Sequence, residues 1–227
     1  MNVHAAGHEL AQNGLLRTLS ADARDYLQGH ASVKQVLSGE ILFDAQAPLH
    51  WAIFPLRGMV SLQNDSDDRR FREVLSIGTN GMVGAPGLFG STSSGSRAVA
   101  ALPGVACWFP APIIQEVMDQ QPEARAVFAD YLGRVLRSMA RSVVCCSSHP
   151  AYRRVANWIA RAANLSGARE IEITQHALGL LLNVRQATVS EACSELQDKN
   201  AIAVSRGVIK VLSKPVLEGE SCNCWTY

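Results

Sequence analysis

Short runs rich in Val, Ile, Leu and aromatics alternate with Gly, Pro and polar breaks through the first half of the chain. Trp51–Phe54, Gly58–Leu62 and Phe71–Ile77 have strand length. They are separated by Pro55–Gly58 and by the polar run Asn64–Asp68, which has the composition of a hairpin tip. A Gly-rich stretch follows, Gly78–Gly95, and strand signals resume at Arg97–Leu102 and Val105–Phe109. Closely spaced strands of this kind predict a β-barrel or roll. Near Pro110 the period changes. Ile113, Ile114 and Val117 mark a short helix, and a longer one starts at Pro122, since proline suits a first helical turn. Phe128, Leu132, Val135, Met139, Val143 and Cys146 recur every three or four residues, a stripe of about 20 residues or roughly 30 Å of helix. Arg125, Arg134, Arg137 and Arg141 occupy its other faces. His149-Pro150 ends it, and a further helix, Tyr152–Asn164, stops before Ser166-Gly167.

The most specific pattern lies between Ile173 and Leu212. Thr174 suits a helix N-cap. Ala177, Leu178, Leu181 and Leu182 form one apolar helical face, with Gly179 small enough for close approach of a second helix. Asn183 tolerates the left-handed backbone of a tight turn, and Val184 is apolar enough to be buried in it. A second helix runs from about Gln186 to Asp198, with Val189, Ala192 (or Cys193) and Leu196 inward. Arg185, Gln186, Ala187, Thr188, Ser190 and Glu191 face outward near its start. This is a helix-turn-helix with hydrogen-bonding side chains presented at the start of its second helix. Ile202–Val204, the turn Ser205-Arg206-Gly207 and Val208–Leu212 then read as a hairpin, which makes the motif a winged helix.

Charge sharpens this picture. The 227 residues have a formal net charge of only +1, but residues 1–124 hold 8 Lys/Arg against 12 Asp/Glu, and residues 125–227 hold 13 against 8. A basic second half agrees with phosphate contact. No apolar run opens the chain, and the apolar stretch Ala98–Ile114 is interrupted by Pro103, Pro110 and Pro112, so neither a secretory leader nor a membrane span is expected. Six cysteines without framework spacing indicate a reduced, cytoplasmic protein.

The run Ile173–Gly179 through Arg185–Val189 and Leu196–Ile202 resembles the winged helix of the Crp/Fnr family of bacterial transcription regulators. Gly84-Ala85-Pro86-Gly87-Leu88-Phe89 followed by Ser96-Arg97-Ala98 is similar to that family's phosphate-binding cassette. The resemblance implies an α+β chain with three parts. These are a cyclic-nucleotide-binding-type β-roll at 1–121, a dimerisation helix at 122–147 and a winged helix-turn-helix at 148–227. It implies a homodimer on a double-stranded DNA palindrome, with RNA polymerase as a further partner.

The departures from the family pattern bear on the effector. Cyclic-nucleotide binders place a Glu on the ribose hydroxyl where this chain has Ala85, and a small hydroxyl residue where it has Ala98. Hydroxyls near the base fall about where Met139 and Ala140 stand. Each unmatched polar contact costs about 1–3 kcal/mol, so two or three remove a hundredfold or more in affinity. Dependence on cyclic AMP is therefore not expected, and any small-molecule effector is left unnamed, with Gly84, Gly87 and Arg97 as its possible contacts. Iron–sulfur members carry an N-terminal Cys cluster, whereas the first Cys here is Cys107.

The expected DNA contacts are Thr174, Arg185, Gln186, Thr188, Ser190, Glu191 and Arg206. The expected dimer seam is Phe128, Leu132, Val135, Met139 and Val143. Family members that read guanine with an Arg one turn into this helix have it where Glu191 stands, so the operator should differ at that step. No catalytic residue, cofactor or metal site is expected. Neighbouring cysteines on a helix point about 100° apart, which disfavours one ion between Cys145 and Cys146. Cys222 and Cys224 offer only two ligands. The alternative function from a different class is a thiol-based redox switch or enzyme using Cys145/Cys146 or Cys222/Cys224. Trp108 and Trp158 are expected in the core.

Overall fold

The computed structural model describes residues 10–65 and 70–224. Most of the opening segment and Ser66–Asp68 of the expected hairpin tip lie outside the described residues. The chain divides into two compact units. The first comprises the residues up to Leu62 together with Ile77–Leu136, and the second comprises Gln63–Ser76 with Arg137 onward. These boundaries differ from a split at 121/122 and 147/148. The long helix contributes to both units, and the outer part of one β-hairpin belongs with the second.

The first unit begins with two short helices that the strand-dominated pattern did not predict, α1 (Gly14–Arg17) and α2 (Ala21–Gln28). Asn13 is fully buried and every polar atom of its side chain is engaged. Its Oδ1 accepts from the Leu15 and Leu16 amides, and its Nδ2 donates to Pro55 O and Gly81 O, both at 2.9 Å. Strands β1 (Ser32–Val36), β2 (Ile41–Phe43), β3 (Trp51–Asp65) and β4 (Phe71–Ile77) follow. After them come the short helix α3 (Ala85–Leu88), strand β5 (Arg97–Pro110) and helix α4 (Ala111–Gln120). The sheet order is β1-β5-β3-β4, with β2 also on β5.

Two expected breaks are absent. β3 runs through Pro55–Gly58 and β5 runs through Pro103-Gly104 without interruption. The two irregular points lie opposite each other on neighbouring strands. Gly58 has φ +83°, and a Cβ there would sit 2.6 Å from Pro103 O, while one on Gly104 would sit 2.1 Å from Arg57 O. The glycines thus let two backbones approach inside continuous strands.

Helix α5 (Pro122–Ser148) has 27 residues. Its first half closes the roll's core. Phe128 is 1% exposed and meets Phe54 ring to ring at 6.4 Å. The buried Tyr131 hydroxyl accepts from the Met82 amide at 3.0 Å and donates to the Met82 carbonyl at 2.8 Å. Trp108 is half-exposed rather than in the core, because strand alternation turns Cys107 and Phe109 inward. Its ring lies 4.8 Å from Lys34 Nζ, as expected for diagonal neighbours on paired strands.

The second unit is built around α6 (Ala151–Ser166), whose Val155, Trp158, Ile159, Ala162 and Ala163 are buried. Gly167, left-handed at φ 71°, ends it as expected. Trp158 is fully buried, its Nε1 donating to Glu73 Oε1 at 3.0 Å. Arg161 pairs with the same carboxylate. Strand β6 (Glu170–Glu172) precedes α7 (Gln175–Leu182) and α8 (Gln186–Asp198). Strands β7 (Ile202–Ser205) and β8 (Val208–Val211) and helix α9 (Lys214–Glu220) follow. The wing is a three-stranded sheet ordered β6-β8-β7. β6 was too short to leave a period in the sequence. No helix among the described residues is long and apolar enough to cross a membrane.

Candidate nucleic-acid interface

Thr174 caps α7, its Oγ1 accepting from the Ala177 amide at 3.1 Å. The hydroxyl proton stays free to donate. Asn183 at φ 53°, ψ 50° ends the helix. Its amide donates to Leu180 O at 3.3 Å and the Val184 amide to Gly179 O at 3.0 Å, a Schellman closure with Asn in the left-handed position. A Cβ on Gly179 would lie 2.9 Å from Val184 O, so only glycine permits this tight return.

Helix α8 starts at Gln186, with Arg185 at the N-cap and no side chain closing its first turn. The unclosed amides give that end a positive, anion-favouring character. Val189, Ala192, Cys193 and Leu196 are buried, so both residues offered as alternatives for the inward position are inside. Burial pushes the Cys193 thiol up to about 11. Arg185, Gln186 and Glu191 are exposed, while Thr188 and Ser190 are half-buried at the edges of the outward face. Ser194, which the sequence reading did not select, is also exposed. It lies three residues beyond Glu191, so the same helical period that picked out Ser190 and Glu191 reaches it.

The wing turn is Arg206-Gly207, with φ +40° and +84°, between Ser205 and Val208. Positive φ at both central residues suits a two-residue hairpin. Gly207 approaches Thr174, where a Cβ would meet Thr174 Cγ2 at 3.6 Å. The fold therefore brings the α7 cap and the wing tip together, although 32 positions separate Thr174 from Arg206 in the chain. Arg206 is exposed.

In the first unit, Gly84 has φ +90°, and a Cβ on it would sit 2.5 Å from Trp51 O. A Cβ on Gly87 would sit 2.9 Å from Leu49 Cβ. Both glycines thus have a packing reason of their own. Ala85 and Ala98 are buried. Arg97 Nε lies 3.1 Å from Asp44 Oδ1, so an anion at this position would compete with a carboxylate already in place.

The stripe expected on α5 does not form a single outward face. Phe128 does not face outward, because the strands alone leave the roll open and α5 fills it. Leu132 and Val135 pack half-buried against the same core. Met139 is half-buried and Val143 is 71% exposed. Leu136, at 61%, and Val144, at 58%, are also exposed, and Ala140 is exposed between them. The outward apolar stripe of α5 is therefore Leu136, Ala140, Val143 and Val144, rotated from the expected one.

A family model described as a Crp-like helix-turn-helix domain matches residues 153–219. By sequence, no curated protein matches the chain. Among solved structures, FixK2 from Bradyrhizobium japonicum is similar at 15% identity and TM-score 0.71, covering 85% of this chain and 98% of its own. The c-di-GMP responsive global regulator CLP of Xanthomonas campestris matches at 14% and 0.67, covering 86% and 100%. A CRP/FNR-family transcriptional regulator of Thermus thermophilus matches at 18% and 0.65, covering 84% and 98%. The chain carries a Crp-like helix-turn-helix domain behind a β-roll, in the fold of the Crp/Fnr transcription regulators.

Proposed function

We propose that this chain is a dimeric, non-enzymatic transcription regulator that reads a palindromic DNA operator in the cytoplasm without requiring cyclic AMP. The observation that carries the reading is the start of α8, where no side chain caps the helix, Arg185, Gln186 and Glu191 are exposed and Ser190 lies at the edge of the same face. A helix presented this way fits the major groove. Gln186 pairs bidentately with adenine, and Glu191 accepts from cytosine N4, since a carboxylate cannot donate to guanine. Arg185 holds a phosphate or a guanine, and Thr174, Thr188 and Arg206 contact phosphates. Two copies pair through the outward stripe of α5, which sets half-sites about 34–36 Å apart. RNA polymerase is the further partner.

The absence of a cyclic AMP requirement is supported by the buried methyl side chains of Ala85 and Ala98 and by the engagement of Arg97 with Asp44. Gly84, Gly87 and Arg97 remain the proposed contacts of any other effector. CLP, of the same fold, is described as responsive to c-di-GMP, so the fold does not itself dictate cyclic AMP. The deciding experiment is selection of bound DNA from a random pool by the full chain. A palindromic consensus is expected, and recovery of no sequence preference would overturn the reading.

A further inference from the structure

Cys145 lies near the end of α5, and Cys222 and Cys224 follow α9, 77 and 79 positions further on. The fold brings their sulfurs together. Cys145 Sγ lies 3.4 Å from Cys222 Sγ, and all three sulfurs lie within 4.8 Å of one another. The tail is shaped for this. The buried Ser221 takes the Asn223 amide on its Oγ at 3.2 Å, and Asn223 is left-handed at φ 51°. That turn curls the chain so that both flanking cysteines return to the buried Cys145, while Cys146 is exposed.

We propose that Cys145, Cys222 and Cys224 form a three-thiolate site for a thiophilic d10 metal ion, zinc(II) or copper(I). Thiolates about 2.3 Å from such an ion stand roughly 3.8 Å apart in a tetrahedral arrangement, close to the 3.4 Å between Cys145 and Cys222 and inside the 4.8 Å that contains all three sulfurs. Thiolate ligands without carboxylates select soft ions over magnesium or calcium. A disulfide would use two of the sulfurs and leave the third without a role. Cys145 and Cys224 also line a cavity of about 290 Å³, which supplies an entry path and room for solvent as a fourth zinc ligand.

Each cysteine binds as thiolate and gives its thiol proton to solvent. Three thiolates on zinc(II) leave one negative charge. Arg141 beside Cys224 and His149 beside Cys222 favour that charge. The bound ion ties the segment after α9 to α5.

The test uses the reduced full chain, dialysed separately against buffered zinc(II) and copper(I), with metal content read by mass spectrometry. One ion per chain is expected, and comparing the two arms identifies which. Cobalt(II) in place of zinc should give a thiolate charge-transfer band. Cys222→Ser and Cys224→Ser should each weaken binding at least tenfold, since removing even a supporting group costs about that much. Cys146→Ser and Cys193→Ser should retain the ion. Circular dichroism confirms that each variant folds, and the half-buried Cys224→Ser supplies the answer if the buried Cys145→Ser does not fold. A reduced protein that takes up neither ion overturns the proposal. So does uptake unchanged in both tail variants.

Discussion

Gln186 and Arg185 are neighbours at the exposed start of α8, and the roles proposed for them differ in their physics. If Gln186 reads a base edge, Gln186→Ala costs about 1–3 kcal/mol on the selected operator, relaxes preference at one position and leaves the salt dependence unchanged. If Arg185 holds a phosphate, Arg185→Ala weakens all sequences alike and lowers the salt slope by about one. Fluorescence anisotropy across a salt series on operator and scrambled DNA separates the two. Binding by both variants equal to the parent would mean that α8 never enters the groove. At the same scale, the Tyr131 hydroxyl satisfies both backbone groups of Met82 in a buried setting. Tyr131→Phe should lower stability by about 1–3 kcal/mol in a denaturant titration, because it strands a buried donor and acceptor. An unchanged midpoint would show that solvent replaces the hydroxyl.

Helix α5 divides its labour along its length. Phe128 and Tyr131 serve the roll's core, and Leu136, Ala140 and Val143 face outward. The two halves should respond differently to mutation. If two copies pair through this face, as proposed, Val143→Glu places like charges across their two-fold axis, so light scattering should report monomers with the melting temperature of the first unit unchanged. Phe128→Ala should do the reverse, costing about 3–5 kcal/mol of stability through a core cavity while leaving assembly intact in the folded fraction. A Val143→Glu protein that remains dimeric would move the seam elsewhere. The sequence showed α5 as one stripe with a single purpose. Its period was legible, but nothing in a period of 3.6 distinguishes apolar residues that pack against their own chain from those that pack against a second copy.

For the whole molecule, ligand linkage provides the test of the effector reading. A ligand at a hundredfold excess over its dissociation constant stabilises its protein by about 2.7 kcal/mol, a shift of several degrees in melting temperature. Millimolar cyclic AMP should produce no such shift here. A rise of several degrees would mean that backbone amides and Arg97 suffice despite Ala85 and Asp44. The basic second half should also make binding to DNA fall steeply with salt, which the same anisotropy series measures.

The winged helix was legible because its signals are local. Thr174 as cap, Gly179 as the point of close approach, Asn183 as the left-handed closure and the α8 limits at Gln186 and Asp198 each depend on neighbours a few residues away. The sequence also showed the roll's strands from Trp51 onward, though it left β1 and β2 unread and broke β3 and β5 at Pro55–Gly58 and Pro103-Gly104. Only pairing reveals that these irregularities face one another and cancel as breaks. The short elements α1, β6 and α9 span 4, 3 and 7 residues, too few turns or alternations to show a period. The rotation of the α5 stripe, the meeting of Thr174 with the wing turn, and the convergence of Cys145 with Cys222 and Cys224 were decided by tertiary structure alone. Each joins residues whose separation along the chain carries no spacing rule, and only the packing of distant elements determines which side chains share a face.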